Sequence, residues 1–382
     1  MLFTRSWAEP EHELYRSSLR SFLEREVVPY HAQWEEVGIV PRSVWSAAGE
    51  QGFLGLGVPE EDGGSGTTDF RFNCVATEEY GGLGVNGLGF QLHCDIIAPY
   101  LVSLATAEQR RRWLPGFCSG DLIGAIAMSE PGTGSDLQGI TTRATRTTGG
   151  WILDGAKTFI SNGINADLVI VVARTEEGRS RRALSLLCVE RGMAGFERGR
   201  NLHKMGRRAQ DTSELFFDSV RVPDENVLGS VGGGFAALMG NLPQERLSIA
   251  VNALGGAERA LAMTTVYCKE RMAFGRAIGS FQHSRFTLAE MATEVEVTRA
   301  FLDRCIEEHI EGRLTPEGAA MAKWWAAQLE KTVTDRCVQL HGGYGYMREY
   351  AISGAFLDAR VQTIHGGTNE IMKEIIGRSM GF

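Results

Sequence analysis

Cysteine at metal or redox spacing is missing from these 382 residues: Cys74, Cys94, Cys118, Cys188, Cys268, Cys305 and Cys337 are odd in number, scattered, and nowhere spaced CxxC. That argues against a disulfide framework and against a zinc site, and the expectation is reduced thiols in a cytoplasmic protein. The eight histidines show no metal-ligand spacing either, so no metal is expected. Positive charge is scarce, with 39 basic against 47 acidic residues and a net charge of −8, which leaves no field to hold nucleic acid or anionic lipid. Long apolar runs are lacking too. Nothing approaches the roughly 20 apolar residues of a membrane span, and the early acidic residues Glu9, Glu11 and Glu13 speak against a secretory or transit leader. No internal repeat or low-complexity tract is present.

What is there is length and apolar content: 43% hydrophobic residues over a chain too long for one ordinary core, so two or three packed regions are expected. Residues 1–120 read as a helical domain. An amphipathic stretch from Glu11 to Val28 carries Leu14, Leu19, Phe22, Leu23 and Val27 at near-helical intervals; a Gly-rich loop follows at 59–66, then a helix through Glu79 and another from about Asn86 to Leu104. Residues 121–228 change texture. Gly124–Met128, Trp151–Leu153, Lys157–Ile160, Leu168–Ala173, Leu184–Glu190 and Ser213–Val220 are short, β-branched or aromatic, and separated by turns, which predicts a small β barrel or sandwich closing at Pro223. Residues 229–382 are helical again, at about 235–272, 281–311, 316–340 and 368–377, and suggest a four-helix bundle. Thr315-Pro316 is a helix start, with threonine as N-cap and proline at N1. The class is α+β.

Gly82-Leu-Gly-Val-Asn-Gly87 matches GxGxxG, but a dinucleotide fingerprint needs a strand before it, and Glu78-Glu79-Tyr80 precedes it on a helix. The match is incidental. The turn Glu130-Pro-Gly-Thr-Gly-Ser-Asp136 follows a strand, and its glycines can bring backbone N–H groups and the Ser129 and Ser135 hydroxyls close to a ligand.

Ala127-Met-Ser-Glu-Pro-Gly-Thr-Gly-Ser-Asp136 resembles the first signature of the acyl-CoA dehydrogenase family. Matches then follow in family order over essentially the whole chain: 151–163 (WILDGAKTFISNG), 271–282 (RMAFGRAIGSFQ), 339–346 (QLHGGYGY) and 363–378. The resemblance implies an FAD enzyme of helical, β and helical domains, usually a homotetramer built as a dimer of dimers. By position, the backbone near Ile126–Met128 and the Ser129 hydroxyl would face the isoalloxazine edge, with Phe159 and Ser161 covering the flavin from the β domain. Arg271, Phe274, Gln282, Gln339 and Gly343 would reach the pyrophosphate and adenosine of a neighbouring subunit's FAD, and Thr368 and Glu370 would line the same cofactor. Ser135 would contact the pantetheine or thioester region, and Arg246 the mouth of the acyl site. Taken singly, Arg271 and Gln282 read as ordinary solvated residues.

The family's usual catalytic glutamate precedes a Gly-Thr near the C-terminus, and that position here is Gly366. In the long-chain and isovaleryl-type branches a glutamate on the first long C-terminal helix takes over. Glu245, in Leu-Pro-Gln-Glu-Arg-Leu, matches that position. Alone it reads as a surface carboxylate in the first turn after Pro243, favoured there by the helix dipole; paired with Gly366 it reads as the base. The chemistry so implied removes the α-proton of a saturated acyl-CoA, with the Gly366 N–H and a flavin ribityl hydroxyl on the thioester carbonyl, and passes the β-hydride to flavin N5, leaving a trans-2-enoyl thioester. The resemblance further implies a place in fatty acid β-oxidation and an acceptor such as an electron-transfer flavoprotein. The competing readings are an enzyme acting on an acyl carrier protein thioester, an oxidase or monooxygenase of the same fold, and a non-catalytic subunit of a mixed oligomer.

Overall fold

The computed structural model of the chain describes residues 5–178 and 180–382; the first four residues, part of the stretch read for a leader, lie outside it. The first part is helical: α1 (Pro10–Glu26), α2 (Val28–Val37), α3 (Arg42–Glu50), α4 (Arg71–Leu83), α5 (Ala98–Leu104) and α6 (Ala107–Ser119). On α1 the apolar stripe buries Leu19, Phe22 and Leu23, whereas Leu14 is 74% exposed. At about 100° per residue Leu14 sits half a turn away from Leu23, so it never belonged to that stripe. The segment after α4 is coil from Val85 to Gly89 rather than helix, and the chain enters α5 through a π turn, Leu92–Ile97. Asp95 anchors that turn: buried, it accepts from Asn73 Nδ2 at 2.8 Å, Thr77 Oγ1 at 3.0 Å and Ser248 Oγ. The GxGxxG segment closes α4, with Gly84 in the left-handed conformation at its cap, as helix context demanded.

The middle part is one hydrogen-bonded sheet of eight strands: β1 (Gly124–Ala127), β2 (Arg143–Thr147), β3 (Gly150–Ser161), β4 (Leu168–Arg174), β5 (Leu184–Glu190), β6 (Phe196–Asn201), β7 (Thr212–Pro223) and β8 (Val227–Leu228). Their order is β6-β7-β3-β2-β4-β5-β8, with β1 parallel to β4. The two runs Trp151–Leu153 and Lys157–Ile160 are a single strand, interrupted where the ladder between β3 and β7 slips at Leu153/Gly155. Gly155 has φ +146°, and a Cβ there would meet Thr142 Oγ1 at 2.6 Å, so the irregularity requires glycine. β2 and β6 went unread because RATRT and FERGRN are polar strands without apolar alternation.

The last part holds α7 (Gly234–Glu270), α8 (Gln282–Ile310), α9 (Pro316–His341), α10 (Ala351–Ala359) and α11 (Asn369–Ser379), with a two-stranded ribbon, β9 (Met272–Ala273) and β10 (Arg276–Ala277), between α7 and α8. Thr315 caps α9 through a bond from Gly318 N at 3.2 Å, with Pro316 in the first turn. The sequence reading missed α10, whose AISGAFLDA mixes Gly and Ser among apolar residues. α7 is the central strut. Its run Leu247–Ala257 is buried without interruption, and Leu247, Ala250, Val251, Ala253, Leu254 and Ala257 join one core with α4, α8 and α9. Among the described residues no helix is long and apolar enough to cross a membrane. All seven cysteines are unpaired, six of them buried.

Candidate active site

The three parts meet at a cavity of about 480 Å³. The π turn brings Leu92 and Ile96 to it, the end of β1 brings Ile126, Met128 and Ser129, and the end of β3 brings Phe159 and Ser161. α7 supplies Glu245, Arg246 and Ile249, and the loop before α11 supplies His365, Gly366 and Gly367. Ser135 lies on the rim, exposed, in the turn after β1.

Glu245 is not a surface carboxylate: it is 4% exposed, in the interior of α7, two residues beyond the helix proline. Its Oε1 accepts from Tyr100 Oη at 2.8 Å. Burial pushes its carboxyl up to about 7, while the Tyr100 bond and the Arg246 charge pull the other way. A carboxylate poised near neutrality in an apolar cavity can accept a proton that a solvated one cannot. Arg246 beside it is also buried, and its Nε has no hydrogen-bond partner among the described residues.

The loop opposite is shaped by glycine. Gly366 and Gly367 have φ +63° and +94°, in the left-handed region, and Lys323 of α9, completely buried, donates from Nζ to the Gly367 carbonyl at 2.7 Å. His365 Nε2 meets Gln362 Oε1 at 2.8 Å, and Gln362 Nε2 donates to Asn252 Oδ1 at 2.9 Å, which ties the loop back to α7. On the sheet side, Glu130 accepts from Lys157 Nζ at 2.9 Å, Thr141 N at 2.7 Å and Thr142 N at 2.9 Å. Burial raises the Glu130 carboxyl, but Lys157 and these bonds outweigh it and hold it at about 2. Lys157 also donates to the Met128 carbonyl at 3.0 Å, so one buried pair fixes the turn that carries Ser129.

The residues match a planar cofactor. Phe159 is 70% exposed on the cavity wall at φ +59°, an uncovered aromatic face held by a strained backbone, with the Ser161 hydroxyl on the same wall. The other expected cofactor residues are elsewhere in the chain. Arg271, Gln339 and Gly343 line a separate open cavity of about 530 Å³, where the Arg271 guanidinium lies 5.2 Å from the Tyr344 ring centroid. Phe274, at the tip of the β9–β10 ribbon, is 95% exposed; Gln282 opens α8. Thr368 caps α11 by accepting from Ile371 N at 3.3 Å, and Glu370 is exposed in the first turn of that helix. Among the described residues no group of three or more His, Cys, Asp or Glu side chains could hold a metal.

Sequence reading missed Tyr100, Lys323, Ile249 and the Glu130–Lys157 pair. Only Lys323 left a trace, as a lone cation in the alanine-rich AAMAKWWAA of α9.

Models of the acyl-CoA dehydrogenase N-terminal, middle and C-terminal domains match residues 9–121, 125–220 and 232–381. The mouse (Mus musculus) long-chain specific acyl-CoA dehydrogenase of mitochondria is 50% identical over 97% of this chain and 86% of its own length. The mitochondrial isovaleryl-CoA dehydrogenase of Solanum tuberosum is 35% identical over 96% and 89%. The crystal structure of an acyl-CoA dehydrogenase from Geobacillus kaustophilus superposes with a TM-score of 0.97 at 46% identity, covering 99% of this chain and all of that one. Fold and cavity define an oxidoreductase of three domains, helical, sheet and helical. The chain belongs to the acyl-CoA dehydrogenase family.

Proposed function

We propose that this protein oxidises a saturated acyl-CoA to the trans-2-enoyl-CoA with FAD, and that Glu245 is the base. One observation carries the assignment: Glu245 is a buried carboxylate raised to about 7 on the wall of the cavity, and the alternative position holds glycine. FAD, when bound against Phe159, Ser161 and the Ile126–Ser129 edge, supplies the acceptor for the β-hydride. The chain's own residues do the rest. Glu245 takes the α-proton on its carboxylate; the Gly366 N–H donates to the thioester carbonyl as negative charge gathers there; Arg246 and Ser135 position the thioester end. Leu92, Ile96 and Ile249 surround the acyl chain and exclude water, which keeps Glu245 a strong base.

Arg271, Gln339 and Gly343 form a site of their own, apart from Phe159 and Gly366, which supports a homotetramer in which each dinucleotide tail is held by a neighbour. Thr368 and Glu370 would line the same cofactor, and Phe274 and Gln282 would meet the neighbour's adenosine. The reduced enzyme would pass electrons to an electron-transfer flavoprotein or similar acceptor, in the cytoplasm, as a step of fatty acid β-oxidation. Domain limits of 1–120, 121–228 and 229–382 suit this reading. The test is a panel of saturated acyl-CoAs, short to long, mixed anaerobically with the flavoprotein: bleaching of the flavin by at least one member is expected, and bleaching by none would overturn the proposal.

A further inference from the structure

Tyr100 does not line the cavity. It stands behind Glu245, completely buried on α5, and donates to Oε1 at 2.8 Å. The Asn241 side chain lies near the same phenol and pulls its pKa down, against the burial that raises it. Asn241 and Glu245 are four residues apart on α7 and so share a face, and between them is Pro243, which cannot donate the intrahelical bond owed to the residue-239 carbonyl. The base therefore sits two residues beyond the helix proline, and a side chain from another helix bonds its carboxylate.

Resting on the reading of Glu245 as base, we propose that Tyr100 is its positioning residue: the phenol captures Oε1, fixes the carboxylate plane, and presents Oε2 to the substrate α-carbon. Oε2 has no hydrogen-bond partner among the described residues, in a side chain that borders the cavity. A carboxylate with one oxygen held and one bare has its more basic oxygen defined by geometry. Burial and the Glu245 charge keep the phenol far above its ordinary range, so Tyr100 remains a donor at every working pH. The charged and titratable groups around Glu245 are Tyr100 from α5, Arg246 on α7, Lys323 of α9 facing Arg246, His365 of the loop before α11, and Asp136 of the turn after β1. Of these, only Tyr100 is bonded to the carboxylate itself.

The experiment follows flavin reduction by a good acyl-CoA substrate across pH in the FAD-loaded enzyme, with Tyr100→Phe, with 3-fluorotyrosine at position 100, and with Glu245→Gln as reference. Tyr100→Phe is expected to retain FAD and substrate affinity, to lower the limiting rate by roughly 10²-fold as the base loses its alignment, and to shift the rise of the pH profile up by about one unit. The fluorinated phenol, a stronger donor in a native-like fold, is expected to shift it down. A slower Tyr100→Phe enzyme with an unmoved profile would show a merely structural tyrosine and overturn the proposal, as would a fluorinated enzyme with an unmoved profile. If Glu245→Gln still reduces flavin, the base assignment has failed instead.

Discussion

A Cβ placed on Gly366 would lie 2.3 Å from Ile249 Cδ1. Ile249 is one turn beyond Glu245 on α7, so the same helix face that carries the carboxylate also fills the space in which a side chain at 366 would begin. A side chain at 366 would therefore have to displace the end of Ile249, and it would start from a left-handed φ of +63°. Moving the carboxylate by Glu245→Gly with Gly366→Glu is expected to restore only a small fraction of flavin reduction. Adding Ile249→Ala should raise that fraction and alter the chain-length preference, because the shortened side chain also widens the acyl cavity. Equal rates with and without Ile249→Ala would show that this contact does not govern the exchange.

Glu245 also has a cost in stability, with a definite sign. Its carboxyl rises from 4.5 when unfolded to about 7 when folded, so the folded state favours the protonated form. Stability is complete below the unfolded value, declines as pH rises between the two, and is lowest above about 7. Glu245→Gln removes the charge and should therefore stabilise the enzyme at pH 8 by up to about 3 kcal/mol, the equivalent of this shift, with the gain vanishing toward pH 4. Thermal or denaturant unfolding at the two pH values checks it. A variant destabilised equally at both would mean that the carboxylate contributes to packing more than burial costs.

Lys323 supports the opposite wall. Its ammonium, pushed down to about 8 by burial and by Arg246, donates to the Gly367 carbonyl and holds two successive left-handed residues in place. Lys323→Met fills similar volume but leaves that carbonyl without its donor. The Gly366 N–H should then lose its aim, with flavin reduction slowed by up to about 10²-fold and little change in FAD content. Rapid mixing with acyl-CoA, alongside the flavin absorbance ratio, distinguishes this from cofactor loss.

Much of the fold was legible because its signals are local. Thr315-Pro316 announces a helix start, valine-rich runs announce β4, and proline at 223 announces where β7 stops. The polar strands β2 and β6 carry no such period, and the π turn at Leu92–Ile97 arises from Asp95 bonding Asn73, Thr77 and Ser248, three residues remote in sequence or on other helices. The site divides the same way. Glu245 and Gly366 were readable as an exchange between two motifs, whereas Tyr100 is 145 residues from the carboxylate it binds and has no motif of its own. Taken alone, Glu245 read as a surface carboxylate in the turn after Pro243; α7 begins at Gly234, close to the expected 235, so the proline lies inside the helix and the glutamate inside the protein.

The base assignment is tested most directly by stopped-flow flavin bleaching in Glu245→Gln. The amide fills the same volume and can still accept from Tyr100, so fold, FAD content and acyl-CoA binding should persist while reduction falls by several orders of magnitude. Reduction at close to the wild-type rate would show that another group removes the α-proton.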